Sequence, residues 1–119
     1  MSERERDLRL LRRIVDYCDQ VDMAVARFGK SFRIFDQDPV YRNAVALCIL
    51  QIGELVSRLS EQFRDTHDQI PWRQIKLMRN IVAHRYGTVD NSITWDVVEH
   101  DLPQLRTYCA NILNAARQE

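Results

Sequence analysis

Apolar residues recur three and four positions apart through the first quarter of the chain, and this period dictates helix. Leu11, Ile14, Cys18, Val21, Val25 and Phe28 fall on one stripe, which Leu8 and Val15 widen. The chain offers little material for anything else. It contains three Gly and three Pro in 119 residues, too few for strands joined by tight turns. One domain with one core is the natural size for such a length, so residues 1–119 are read as a single helical domain.

The period predicts four main helices. The first runs from about Arg4 to Phe28 and stops at Gly29. A linker follows in which Phe32 and Phe35 tuck under the bundle. Asp38 caps the second helix and Pro39 suits its first turn. That helix continues through VYRNAVALCILQIGELVSRLSEQF. Ala44 to Leu50 is apolar all round, which predicts a central position. Gly53 lies inside it, and a mid-helix Gly usually marks a close helix contact. Glu54 follows directly, near the most buried part of the chain, where it needs a partner such as Arg.

RDTHDQ reads as a polar loop. Pro71 opens the third helix, which carries Trp72, Ile75, Met78, Ile81 and Val82 and ends at Gly87. TVDNS is a turn, and Ser92 or Asn91 caps the fourth helix. Trp95, Val98, Leu102, Leu105, Cys109 and Ile112 form its apolar side. Pro103 kinks or splits it near Asp101. Short polar connections between these helices predict an all-α, antiparallel up-and-down bundle of four to five helices.

Several functional classes lose ground on composition and spacing. The formal net charge is zero, which argues against coating nucleic acid by bulk attraction but leaves room for a local basic site. Cys18, Cys48 and Cys109 are odd in number and far apart, with no CxxC, and read as small buried hydrophobes in a reducing cytosol. His67, His84 and His100 are sixteen or more positions apart, without metal-ligand spacing. No Gly-rich phosphate loop and no GxSxG occurs. The charged start MSERERDLRLLRR does not read as a signal peptide, and no apolar run approaches the roughly 20 residues of a membrane span. A cytoplasmic protein without a metal or other cofactor is expected. Trp72 and Trp95 are expected as core or interface anchors, and His67 and His100 as surface residues. The N-terminal Arg run is expected as a solvated face that could also meet RNA or an acidic partner.

One stretch resists the bland reading. MRNIVAHRYG brings Arg79, Asn80, His84 and Tyr86 within eight residues of an otherwise apolar helix. Arg forks onto phosphate oxygens. His can give or take a proton near neutral pH. Tyr can donate a hydrogen bond or stack on a base, and Asn supplies both a donor and an acceptor. Together they suit RNA cleavage without a metal. A base takes the proton of a ribose 2′-OH, that oxygen attacks phosphorus, an acid protonates the leaving 5′-oxygen, and Arg offsets the developing phosphoryl charge. At the helix C-terminus the dipole favours a protonated His84, a ready general acid.

Helix geometry complicates the picture. Residues five apart point about 140° away from each other at 3.6 residues per turn, so Arg79 shares a face with Tyr86 and not with His84. Convergence needs a loosened helix near His84, a long reach by Arg79, or a second copy related by a two-fold axis. A structural alternative stands beside this: Arg79 pairs with Glu54 and His84 caps carbonyls.

RNIVAHRY matches the Arg, four residues, His, one residue, Tyr pattern of HepT-like proteins, toxins of the HEPN superfamily. IGELVSRLS, IPWRQIKLMRN and YGTVDNSITWDVV resemble the same family in the same order, so the likeness spans nearly the whole chain. The resemblance implies a HEPN-like bundle that forms a homodimer. It implies a metal-independent endoribonuclease acting on messenger RNA or the 3′ end of transfer RNA, as the toxin of a type VII toxin–antitoxin pair. Arg79 and His84 then correspond to the catalytic pair, Asn80 to the polar residue beside the Arg, and Glu54 to a supporting residue that orients Arg79. Tyr86 corresponds to the residue that a minimal nucleotidyltransferase antitoxin of the MntA type modifies with AMP. Two other readings stay open: a HEPN module that binds a nucleotidyltransferase or a nucleotide without cutting RNA, and a small helical dimer with a structural role.

Overall fold

The computed structural model describes residues 1–85 and 90–119, with the side chains of residues 81 and 83–85 excepted. Among the described residues the chain is all helix. The four long helices are α1 (Glu3–Phe28), α3 (Pro39–Arg58), α5 (Trp72–Arg85) and α7 (Leu102–Arg117). Three short ones join them: α2 (Phe32–Gln37), α4 (Glu61–Thr66) and α6 (Asn91–Asp96), the last followed by a π-helical turn, Val97–Asp101. The all-α bundle is the expected one; the short helices are additions in its connections.

Each long helix buries the stripe its sequence carries. On α1, Leu11, Ile14, Cys18 and Val21 are buried, while Val25 and Phe28 pack at the edge. The helix starts on Ser2, whose Oγ accepts from Glu5 N–H at 3.1 Å, and stops at Gly29 with φ 121°, a left-handed conformation that Gly tolerates. Asp38 caps α3 by accepting from the N–H groups of Val40 and Tyr41 at 2.9 and 3.3 Å. α3 lies between α1 and α5, and α1 also packs on α7. α3 is long and apolar enough to span a membrane by length and composition, contrary to the sequence reading, but half of that window is buried in the bundle.

Three local expectations fail for visible reasons. Leu47 is exposed, so the Ala44–Leu50 stretch is not buried all round. Phe35 enters an aromatic cluster with Tyr41 and Trp95, at centroid distances of 5.1 and 5.3 Å, whereas Phe32 stays exposed and the linker is itself helical. The second predicted helix does not run on to Phe63. It breaks at Leu59 and Ser60, both extended, and α4 begins afresh.

The break has a specific cause. Asp7 on α1 is buried, and its carboxylate accepts from Ser60 N–H at 2.9 Å and from Ser60 Oγ–H at 2.7 Å. Ser60 Oγ in turn accepts from Phe63 N–H at 3.1 Å and caps α4. One buried carboxylate thereby welds α1 to the α3–α4 corner. Asp7→Ala leaves the Ser60 N–H without its acceptor and is expected to lower unfolding free energy by about 2–3 kcal/mol. A urea titration checks this: the midpoint should fall with the slope unchanged.

Downstream, Asp90 rather than Ser92 or Asn91 caps α6, accepting from Ser92 N–H at 2.9 Å and Ser92 Oγ–H at 2.7 Å; these bonds hold its carboxyl below the usual range. The disturbance expected near Pro103 is the π-helical turn, where Leu102 N–H reaches back five residues to Val97 C=O. The proposed stop at Gly87 lies outside the described residues. Trp72 and Trp95 are both core residues. His100 is a surface residue, but His67 is half-buried: its ring packs tilted against Phe63 at a centroid distance of 4.4 Å, and its Nδ1 lies 3.1 Å from Tyr108 Oη. All three cysteines are free and buried, and burial pushes the Cys18 and Cys109 thiols up to about 12. At neutral pH those two carry no appreciable thiolate.

Candidate active site

Helix α5 carries the motif, and its entry is fixed by aromatic packing. Trp72 is buried, and its indole N–H donates to His67 C=O at 2.8 Å. Phe63 packs against both rings, 6.1 Å from Trp72. Ile75 and Met78 lie half-buried and Val82 fully buried toward the bundle. The principal packing partner of α5 is α3, so the placement of the motif is set by how closely these two helices approach.

Gly53 sets that approach. A Cβ built on Gly53 would collide with Cβ of Arg79 and stand 2.5 Å from its Cγ. The mid-helix Gly therefore has the close contact that its position suggested, and the contact is with Arg79 itself. The stem of Arg79 lies over the bare backbone of α3. Its guanidinium Nη1 then reaches Glu54 Oε1 at 3.0 Å. Glu54 comes from the same turn of α3 that supplies the Gly.

Glu54 is less buried than its neighbours suggested. Its side chain is 45% exposed against 24% for Arg79, so the pair sits at the rim of the bundle. At such a site the ion pair contributes little to stability, and its consequence is geometric. It holds one edge of the guanidinium and leaves the remaining donors for another anion. Nε of Arg79 is shielded from solvent and has no hydrogen-bond partner among the described residues.

The other site residues fall into two groups. Asn80 is half-buried on α5 beside Arg79. His84 has its backbone in the last turn of α5, and its side chain is not among those described; Tyr86 lies outside the described residues. The α5 backbone is α-helical through Arg85. Of the three routes to convergence, a loosened helix before His84 is therefore the one the backbone does not take. Among the described residues, no three His, Cys, Asp or Glu side chains gather where they could hold a metal ion. Sequence reasoning missed Gly53 as the seat of Arg79, although the GE pair was the signal.

The fold is that of an all-α HEPN-like bundle, and at its rim the half-buried Arg79 is held by Glu54. The chain matches the family model described as ribonuclease HepT-like over residues 8–112, and it belongs to that family. A protein of Caldanaerobacter subterraneus subsp. tengcongensis, named as a candidate RNase, is 35% identical over 85 residues, 71% of this chain and 76% of that protein. The probable ribonuclease HepT of Thermococcus cleftensis is 33% identical over 75 residues, 63% of this chain and 68% of that protein. A Methanocaldococcus jannaschii protein, named as a gamma-glutamylcyclotransferase and candidate RNase, is 37% identical over 79 residues; these are 66% of this chain but 33% of that protein. No solved structure matches the chain. The family and these relatives support a ribonuclease role, with RNA as the substrate class.

Proposed function

We propose that this protein is a metal-independent endoribonuclease that acts as the toxin of a toxin–antitoxin pair in the cytoplasm. The observation that carries the reading is the seat of Arg79. Gly53 and Glu54 fix its stem and one edge of its guanidinium, and fixed donors are what a developing phosphoryl charge needs. In the reaction, a base removes the proton from a ribose 2′-OH and O2′ bonds to phosphorus. The P–O5′ bond then breaks, and protonated His84 gives its proton to the leaving oxygen. The products are a 2′,3′-cyclic phosphate and a free 5′-OH. Arg79 neutralises the equatorial oxygens, Glu54 orients Arg79, and Asn80 hydrogen-bonds the substrate. A homodimer built around two copies of α5 would bring a second His84 to the cleft as the base.

The proposed control lies at Tyr86. A partner nucleotidyltransferase of the MntA type directs the Tyr86 oxygen onto the α-phosphorus of ATP. A Tyr–O–AMP bond forms, and pyrophosphate and a proton leave. The added phosphate is drawn to Arg79 and takes the place of the RNA. Co-incubation with a genomic-neighbour nucleotidyltransferase and ATP should raise the intact mass by AMP units, and Tyr86→Phe should abolish the gain. A gain that persists in Tyr86→Phe would exclude Tyr86 as the acceptor. Growth arrest on expression, relieved by His84→Ala, separates the nuclease from a module that only binds its partner.

A further inference from the structure

A second cluster of cations lies one turn before Arg79. A cleft of about 560 Å³ runs between α4 and the first half of α5. Arg64 on α4 and Arg73 and Lys76 on α5 line it, facing Glu61, Asp65 and Asp68. Despite those carboxylates, none of the three cations has a carboxylate oxygen within 4 Å among the described residues. Arg64 Nε is shielded from solvent and has no hydrogen-bond partner among the described residues. Arg73 and Lys76 are exposed. Arg73, Lys76 and Arg79 rise along α5 in steps of about 4.5 Å, and residues three apart are neighbours on a helix surface. Lys76, one turn before Arg79, is the cation of the cleft nearest to it along α5.

We propose that this cleft is a nucleotide subsite that holds single-stranded RNA beside the scissile phosphate, with Arg73 and Lys76 on the flanking phosphates. The inference rests on the ribonuclease reading and adds where the substrate lies. The mixed charge selects the ligand. An acidic protein surface would satisfy the cations but set like charge against Glu61, Asp65 and Asp68. A nucleotide answers both sets. Its phosphate takes the cations, and the amino groups of its base donate to the carboxylates, as the cytosine amino group does to Asp or Glu. Unpaired bases in single-stranded RNA leave those edges open.

The test is binding of a short, labelled, single-stranded 2′-O-methyl RNA, which lacks the attacking hydroxyl, measured by fluorescence anisotropy across a salt series. Arg73→Gln/Lys76→Gln should weaken binding roughly tenfold and lower the salt slope by about 1.4, the share of two phosphate contacts on a single strand. The exposed cations Arg27 and Arg117, on α1 and α7, supply the control: Arg27→Gln/Arg117→Gln removes the same charge elsewhere and should leave the slope unchanged. Equal slopes for wild type and the α5 pair, or an equal loss from the control pair, would overturn the subsite. Cleavage of unmodified RNA by the wild-type protein is scored in parallel. Its absence counts against the ribonuclease reading, while the salt slopes still decide whether the cleft binds RNA.

Discussion

Arg79→Ala is expected to lower kcat/KM for RNA cleavage by about 10²–10³-fold, the usual cost of deleting one positioned donor to a developing oxyanion. The change in stability should be small, because the ion pair with Glu54 is at the bundle rim, where such pairs contribute about 0–1 kcal/mol. Arg79→Lys keeps the charge but cannot hold Glu54 and a phosphate with one planar fork. It should therefore recover only part of the loss. Glu54→Gln leaves the charge of Arg79 intact and removes its ionic tether; a loss of roughly tenfold is expected there, in line with an orienting role. Steady-state kinetics on one defined RNA, with thermal melts of each variant, separates these effects.

Gly53→Ala should damage activity out of proportion to stability. Alanine gains about 1 kcal/mol of helix propensity at this position. Against that, its Cβ lands on Cβ and Cγ of Arg79 and forces α3 and α5 apart, an overpacking cost of typically about 1–3 kcal/mol. The two terms nearly cancel, so the melting temperature should fall by only a few degrees, about 1 kcal/mol in net terms. The displaced group, however, is the proposed catalytic arginine. A shift of about 1 Å at a reacting centre can cost 10²-fold, and that is the loss expected in kcat/KM. Gly53→Ala at full activity would mean that α5 can slide without consequence, and the close approach would then have no catalytic meaning.

The helices were legible because their signals are local. The α1 stripe from Leu11 to Phe28, the Asp38–Pro39 start and the mid-helix Gly53 each carry their physics within a few residues. What sequence could not supply was long-range. Ser60 looks like an ordinary helix-interior residue until Asp7, fifty-three positions earlier, takes both its N–H and its hydroxyl and breaks the helix there. His67 read as a surface residue because Tyr108, the partner of its Nδ1, comes from α7, forty-one positions later. The site behaves the same way. The motif pointed to Arg79, and Glu54 read as its possible partner from burial alone. That Gly53 makes room for the arginine stem depends on the approach of α3 to α5, which no local pattern encodes. The short α2 was hidden for another reason: a six-residue helix is too brief to show a period.

The central claim is that the RNIVAHRY segment cuts RNA without a metal. The most direct measurement incubates purified, unmodified protein with total RNA in EDTA, beside Arg79→Ala and His84→Ala, and analyses the ends produced. Cleavage by the wild-type protein alone, leaving 2′,3′-cyclic phosphates, is the predicted result. Cleavage that both variants retain, or that appears only when a divalent metal is restored, would contradict it.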